Sequence, residues 1–114
     1  MTPAEILRAA ADKLDEGWTQ GAHARDGDGR PVHALSQTAC AWCAEGAMAA
    51  AAGTVTVFID PAVYEALGAA TGRPAPVWLQ SRKLNLWNDE PGRTKEQVQA
   101  AMRAAADQLE SEND

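Results

Sequence analysis

The sequence predicts an α+β fold that is mostly helical: about four helices packed around an apolar central helix at residues 38–52, with a small β-hairpin at 18–35. Three observations predict it. The runs near the two ends carry helix caps and apolar residues at helical spacing. The stretch 38–52 has Glu45 as its only charge, so it is apolar on nearly every side, as a helix enclosed by others must be. Between the first helix and this one, "RDGDGR" at 25–30 contains two Asp-Gly pairs, which favour the positive φ angles of tight hairpin turns.

Taken in order, "TPAEILRAAADKLDEG" opens with Thr2 as cap, Pro3 where proline is tolerated, and Glu5 to complete a capping box. Ile6, Leu7, Ala10 and Leu14 form its apolar stripe, and Gly17 ends it. Trp18 to Ala24 and Arg30 to Leu35 flank the hairpin turn. The central helix is capped by Ser36 or Thr38 and stops at Gly53. "TVTVF" is β-branched and predicts a short strand, while Asp60 and Pro61 cap the next helix, which ends near Gly72. Pro74 and Pro76 exclude a helix before Val77, Trp78 to Trp87 suit a short one, and "EPGR" is a turn. Thr94 and Gln97 make a second capping box before a stripe of Val98, Ala101, Met102, Ala105 and Leu109. The echo of "RAAADKL" at 8–14 in "RAAADQL" at 103–109 predicts terminal helices with narrow faces of small residues that pack closely together.

The chain has 114 residues, 46% of them apolar, which suits one domain, placed at 1–109 with a frayed acidic tail at 110–114. Alanine dominates the apolar fraction, so Trp18, Trp42, Trp78 and Trp87 are expected to supply much of the large buried area. A net charge of −6 without any basic stripe disfavours direct nucleic-acid binding and adhesion to anionic membranes. No basic segment leading into an apolar one opens the chain, and no apolar run approaches the ~18 residues of a membrane span. The expected compartment is the cytoplasm, with both cysteines as free thiols.

Cys40 and Cys43 have the C-x-x-C spacing of redox centres and zinc half-sites. A redox pair needs an exposed cysteine at a helix N-terminus, yet Cys40 falls about one turn inside the predicted helix, so both thiols are expected to be buried and inert. Zinc would need His23 and His33 as well, in a spacing unlike common zinc folds. Cys43 with His33 and Asn88 as a nucleophilic set has nothing that brings the three together. An EF-hand starting at Asp26 fails at Pro31 and Gln37. The sequence therefore implies no metal, cofactor or catalytic residue. Gly46, mid-helix, marks close approach of another element, either a tryptophan ring or the hairpin backbone. "WNDEPGRT" at 87–94 is the most site-like stretch: a polar loop leading into a helix N-terminus, suited to bind an anion or to cap itself.

In order along the chain, "WTQGAHARDGDGRPV", "WCAEGA" and "WNDEPGRTKEQVQAAMRAAA" make it resemble a small family of bacterial and phage domains without an assigned activity. The resemblance implies recurrence of Trp18, Gln20, Gly21, Arg25, Asp26, Gly29, Trp42, Cys43, Gly46, Ala47, Trp87, Asn88, Asp89, Gly92, Arg93 and Thr94, and not of Cys40, His23 or His33. From this come two sets of residues. Trp18, Gln20, Arg25, Asp26, Trp87, Asn88, Asp89 and Arg93 form a candidate binding patch, with the three tryptophans clustered beneath the charges; Trp42, Cys43 and Gly46 are structural. The expected function is a non-catalytic protein-interaction module, an accessory or inhibitory protein of a phage or mobile element that acts on a host protein or on a second copy of itself. The alternative is a small enzyme or ligand-binding domain that uses Arg25, Asp26, Asn88, Asp89 and Arg93 on a phosphorylated or nucleotide-like ligand.

Overall fold

The computed structural model describes residues 1–112 and is α+β, mostly helical. Helix α1 spans Pro3–Lys13, followed by strands β1 (Ala24–Arg25), β2 (Pro31–Val32) and β3 (Ala41–Trp42). Helix α2 is Ala44–Ala52, a 3-10 turn covers Thr56–Phe58, and α3 (Pro61–Ala70), α4 (Val77–Asn88) and α5 (Lys95–Glu112) complete the chain. The capping box of α1 forms as the sequence predicts, with Thr2 accepting from the Glu5 N–H and Glu5 accepting from that of Thr2. Thr94 and Gln97 exchange the same pair of bonds ahead of α5. Asp60 caps α3 by accepting from Ala62. Of the tail expected from residue 110, residues 110–112 are helical, the end of α5, where Arg8 on α1 pairs with Asp107 and Glu110; residues 113 and 114 lie outside the described residues.

The terminal helices pack against each other, as the echoed segments imply. Leu7, Ala10, Ala11 and Leu14 on α1 and Val98, Met102, Ala105 and Ala106 on α5 are all buried. Alanine at these positions lets the two backbones approach closely. Helix α1 also packs on α2 and α3, so it holds much of the central position expected of α2. The core between them contains Met48, Val63 and Leu67, all fully enclosed.

The hairpin forms at the predicted turn. Asp26 Oδ1 accepts from the N–H groups of Asp28 and Arg30, and Asp26 N donates to Arg30 O. The paired strands are only two residues each and belong to a three-stranded antiparallel sheet of order β2-β1-β3. This third strand shortens the central helix, which begins at Ala44 rather than 38. The backbone of 40–43 is committed elsewhere: Cys40 donates to Arg25 O, Trp42 to Gly17 O and Cys43 to His23 O. Helix propensity in an alanine-rich run is worth only tenths of a kcal/mol per residue, and these long-range bonds outweigh it. A second correction concerns "TVTVF", which has no partner strand and folds as the 3-10 turn. A third concerns Trp78: it is 80% exposed and supplies no core, unlike Trp42 and Trp87.

Gly46 makes the close approach that its position in a helix implied. A Cβ placed there would lie 1.9 Å from the carbonyl oxygen of His23, well inside contact distance. The strand β1 and its lead-in thus lie directly on the first turn of α2. Gly46→Ala is expected to lower stability by about 2–3 kcal/mol in urea denaturation, despite the better helix propensity of alanine. A change below 1 kcal/mol would mean that the contact between His23 and α2 yields readily.

Candidate functional site

The patch residues other than Asp26 come together, but mainly with one another. Asn88, the last residue of α4, is completely buried. Its Oδ1 accepts from Trp18 Nε1 at 2.9 Å and from the Ala44 N–H at 3.0 Å. Its Nδ2 donates to Thr19 O at 3.2 Å and to Asp89 Oδ1 at 2.9 Å. All the bonding capacity of a carboxamide is therefore used. One of these bonds satisfies the first free N–H of α2, a helix cap supplied from a distant helix. Gln20 Nε2 donates to the carbonyls of Asn88 and Glu90, and the Gly21 N–H donates to Asp89 Oδ1.

Both arginines are committed as well. Arg25 Nε donates to Thr19 Oγ1, Nη1 to Gly29 O and Nη2 to Gln20 O, bracing the hairpin from within. Arg93 lies 4.3 Å over the Trp87 ring, donates through Nε to Trp87 O and pairs with Glu90, which Arg73 also engages. Asp26 accepts bonds within its own turn. The backbone of Trp18 forms a bridge with that of Trp42, while its ring reaches toward the end of α4. The patch is thus a latch that joins the hairpin, the start of α2 and the end of α4. Each nitrogen of its two arginines has a partner inside the protein.

The cysteines do not behave alike. Cys40 is exposed, because it precedes β3 instead of lying within a helix. Cys43 is buried at the N-cap of α2, where its Sγ accepts from the Gly46 N–H. Burial pushes its thiol up to about 11 despite that bond, so it stays protonated at neutral pH and is a poor nucleophile. His33 Nδ1 accepts from the Leu35 N–H, and His23 bonds elsewhere. Among the described residues, no group of three or more His, Cys, Asp or Glu side chains is placed to hold a metal ion.

Sequence reasoning missed a buried carboxylate, that of Glu45. Glu45 is 1% exposed on the first turn of α2. Its Oε1 accepts from His23 Nε2 at 2.9 Å and Asn85 Nδ2 at 3.2 Å, and its Oε2 accepts from Tyr64 Oη at 2.7 Å. Burial pushes its pKa up, but the bonds from His23, Ser81, Tyr64 and Asn85 outweigh burial and hold it at about 2. The bond to Glu45 raises the pKa of His23, helped by the charges of Glu45 and Asp89 against partial burial. Burial, followed by the Glu45 charge, drives the Tyr64 phenol well above its ordinary range. The available signal was Glu45 itself, a lone charge in an otherwise apolar helix; its partners came from three other segments and were not visible.

Glu45 stands between two clefts. One, of about 200 Å³, is lined by Glu45, Tyr64 and Ser81 with an apolar collar that includes Val57, Ile59 and Val77. The other, a more open groove of about 490 Å³, runs past His23, His33, Cys43, Asn85 and Asp89. The imidazole of His23 therefore has Glu45 on one side and the wider groove on the other.

Two outcomes follow from this geometry. The Glu45 pKa is lowered on folding, so its contribution is present above about pH 4.5 and lost as pH falls toward 2. The His23 pKa is raised, so its contribution is complete below about pH 6.5 and lost as pH rises through the folded value. The pair is thus most stabilising between those limits. Glu45→Gln should flatten the acid limb and His23→Gln the alkaline limb of a stability-against-pH curve from urea denaturation; unchanged limbs would dissociate the pair from stability. Separately, Asn88→Leu leaves buried donors at Trp18 and Ala44 without acceptors and should cost about 3 kcal/mol or more.

Among the described residues, no helix is long and apolar enough to cross a membrane. A search of curated proteins and a search of solved structures each returned no match. A family model matches residues 1–108, nearly the whole chain and all the elements of the latch. On that match the chain belongs to DUF6197, a family of unknown function.

Proposed function

We propose that the protein is a non-catalytic interaction module that docks on another protein. One observation carries this reading. Val57 and Phe58 on the 3-10 turn and Val77 and Trp78 at the start of α4 are 78%, 75%, 68% and 80% exposed. Val57 and Val77 line the same cleft, and Phe58 and Trp78 follow them directly in sequence. Large apolar and aromatic side chains cost solvation when left in water, and such clusters on a small domain mark contact surfaces. The three tryptophans that recur in the resemblance have structural partners; among the described residues Trp78 has no hydrogen-bond or cation partner, and its exposed ring suits an anchor. The setting proposed with it is an accessory or inhibitory protein of a phage or mobile element acting on a host protein, in line with the bacterial and phage resemblance and the acidic surface.

The expected result is a saturable protein partner retained by the native chain on affinity capture from a host lysate. The double variant Phe58→Ser, Trp78→Ser should weaken that binding at least tenfold while the melting temperature stays within a few degrees, since neither side chain is in the core. Binding that survives this double variant, or no specific partner at all, rejects the reading. If the same double variant instead abolishes a concentration-dependent dimer in sedimentation, the partner is a second copy of the chain.

A further inference from the structure

We propose that the cleft between the 3-10 turn and α4 receives one cationic side chain, arginine or lysine, from a partner protein, with the Glu45 carboxylate as counter-ion and Val57 and Val77 as collar. This rests on the docking surface above and specifies what that surface recognises. Three features support it. At about 200 Å³ the cleft is below the ~300–1,000 Å³ usual for small-molecule sites and suits a single long side chain. Its floor carries a carboxylate that is 1% exposed, and its walls combine apolar Val57, Ile59, Pro61 and Val77 with the hydroxyls of Thr56, Tyr64 and Ser81. An aliphatic stem that ends in a charge matches that lining along its length.

Charge also points this way. The only cationic group within ion-pair distance of Glu45 among the described residues is His23, at 2.9 Å. When its imidazole is neutral it supplies a hydrogen bond but no charge, and Asn85 and Tyr64 supply none either. The carboxylate is then a buried negative charge that faces a cleft without a counter-ion, in a chain of net charge −6. A buried charge gains more from a partner than an exposed one does. The exposed rings of Phe58 and Trp78, next in sequence to the collar residues, add apolar and π surface to what the incoming segment meets.

The test uses the full chain and a capped peptide with a central arginine flanked by leucines, titrated against tryptophan fluorescence. The same peptide with citrulline, the neutral isostere of arginine, is the comparison. The arginine peptide should bind at least tenfold more tightly at pH 8, and Glu45→Gln should bring the two peptides within twofold of each other. Should Glu45→Gln fail to fold, Val77→Lys, at an exposed position, places a competing ammonium at the mouth and should remove the same preference. Equal binding of both peptides, or no binding of the arginine peptide at millimolar concentration, overturns the cationic pocket. The apolar docking surface is judged independently by the Phe58 and Trp78 variant. Methylguanidinium that binds as tightly as the arginine peptide would reassign the cleft to a small free guanidinium ligand and overturn the protein side chain as its occupant.

Discussion

The carboxamide of Asn88 is the constraint on which the rest of this structure depends. It is completely buried and makes four hydrogen bonds, to Trp18, Thr19, Ala44 and Asp89. Those partners belong to the segment that leads into the hairpin, the first residue of α2 and the end of α4. Three pieces far apart in sequence are joined at one side chain, where an unmet donor would cost the full desolvation of a buried group. Around it, Gln20 and Arg93 donate to carbonyls at the C-terminal end of α4, and Arg25 donates to that of Gln20. Much of what looked like a binding surface in the sequence is this bracing.

The latch has a consequence for the buried acid. Because Asn88 holds the start of α2 and His23 lies against Gly46, Glu45 is placed where three donors from three other segments converge on it. A carboxylate moved out of water ordinarily becomes neutral; here the hydrogen bonds keep it ionised. The same arrangement suppresses the neighbouring thiol of Cys43, which is buried without a cation to favour its charged form. The molecule therefore concentrates its electrostatics at Glu45 and away from the cysteines. The exposed apolar residues of the 3-10 turn and α4 collar that acid on its solvent side.

Much of the fold was legible in the residues. The caps at Thr2, Asp60 and Thr94, the Asp26 turn and the glycine at 46 all act as their local chemistry implies, since each depends on neighbours within a few residues or on the absence of a side chain. The start of α2 was not legible, because alanine favours helix locally while the strand pairing that displaces it comes from β1, where Ala24 and Arg25 pair with Trp42 and Ala41. "TVTVF" failed for the opposite reason: β-branching describes a preference for sheet and does not supply a neighbouring strand. Arg25, Asn88 and Arg93 stood out by type, yet whether they face a ligand or each other depends on geometry that residue type does not specify.

Composition, spacing and capping by themselves determined a helix-rich α+β chain, the close pairing of its first and last helices, and an acidic molecule. Tertiary structure alone decided that the polar motif is a latch, that Cys40 and Cys43 differ, and that Glu45 is the buried charge beside an apolar cleft. The physical reason is range: caps and periodicity act over one or two turns of chain, whereas burial and the hydrogen bonds of Asn88 and Glu45 join residues twenty to seventy positions apart.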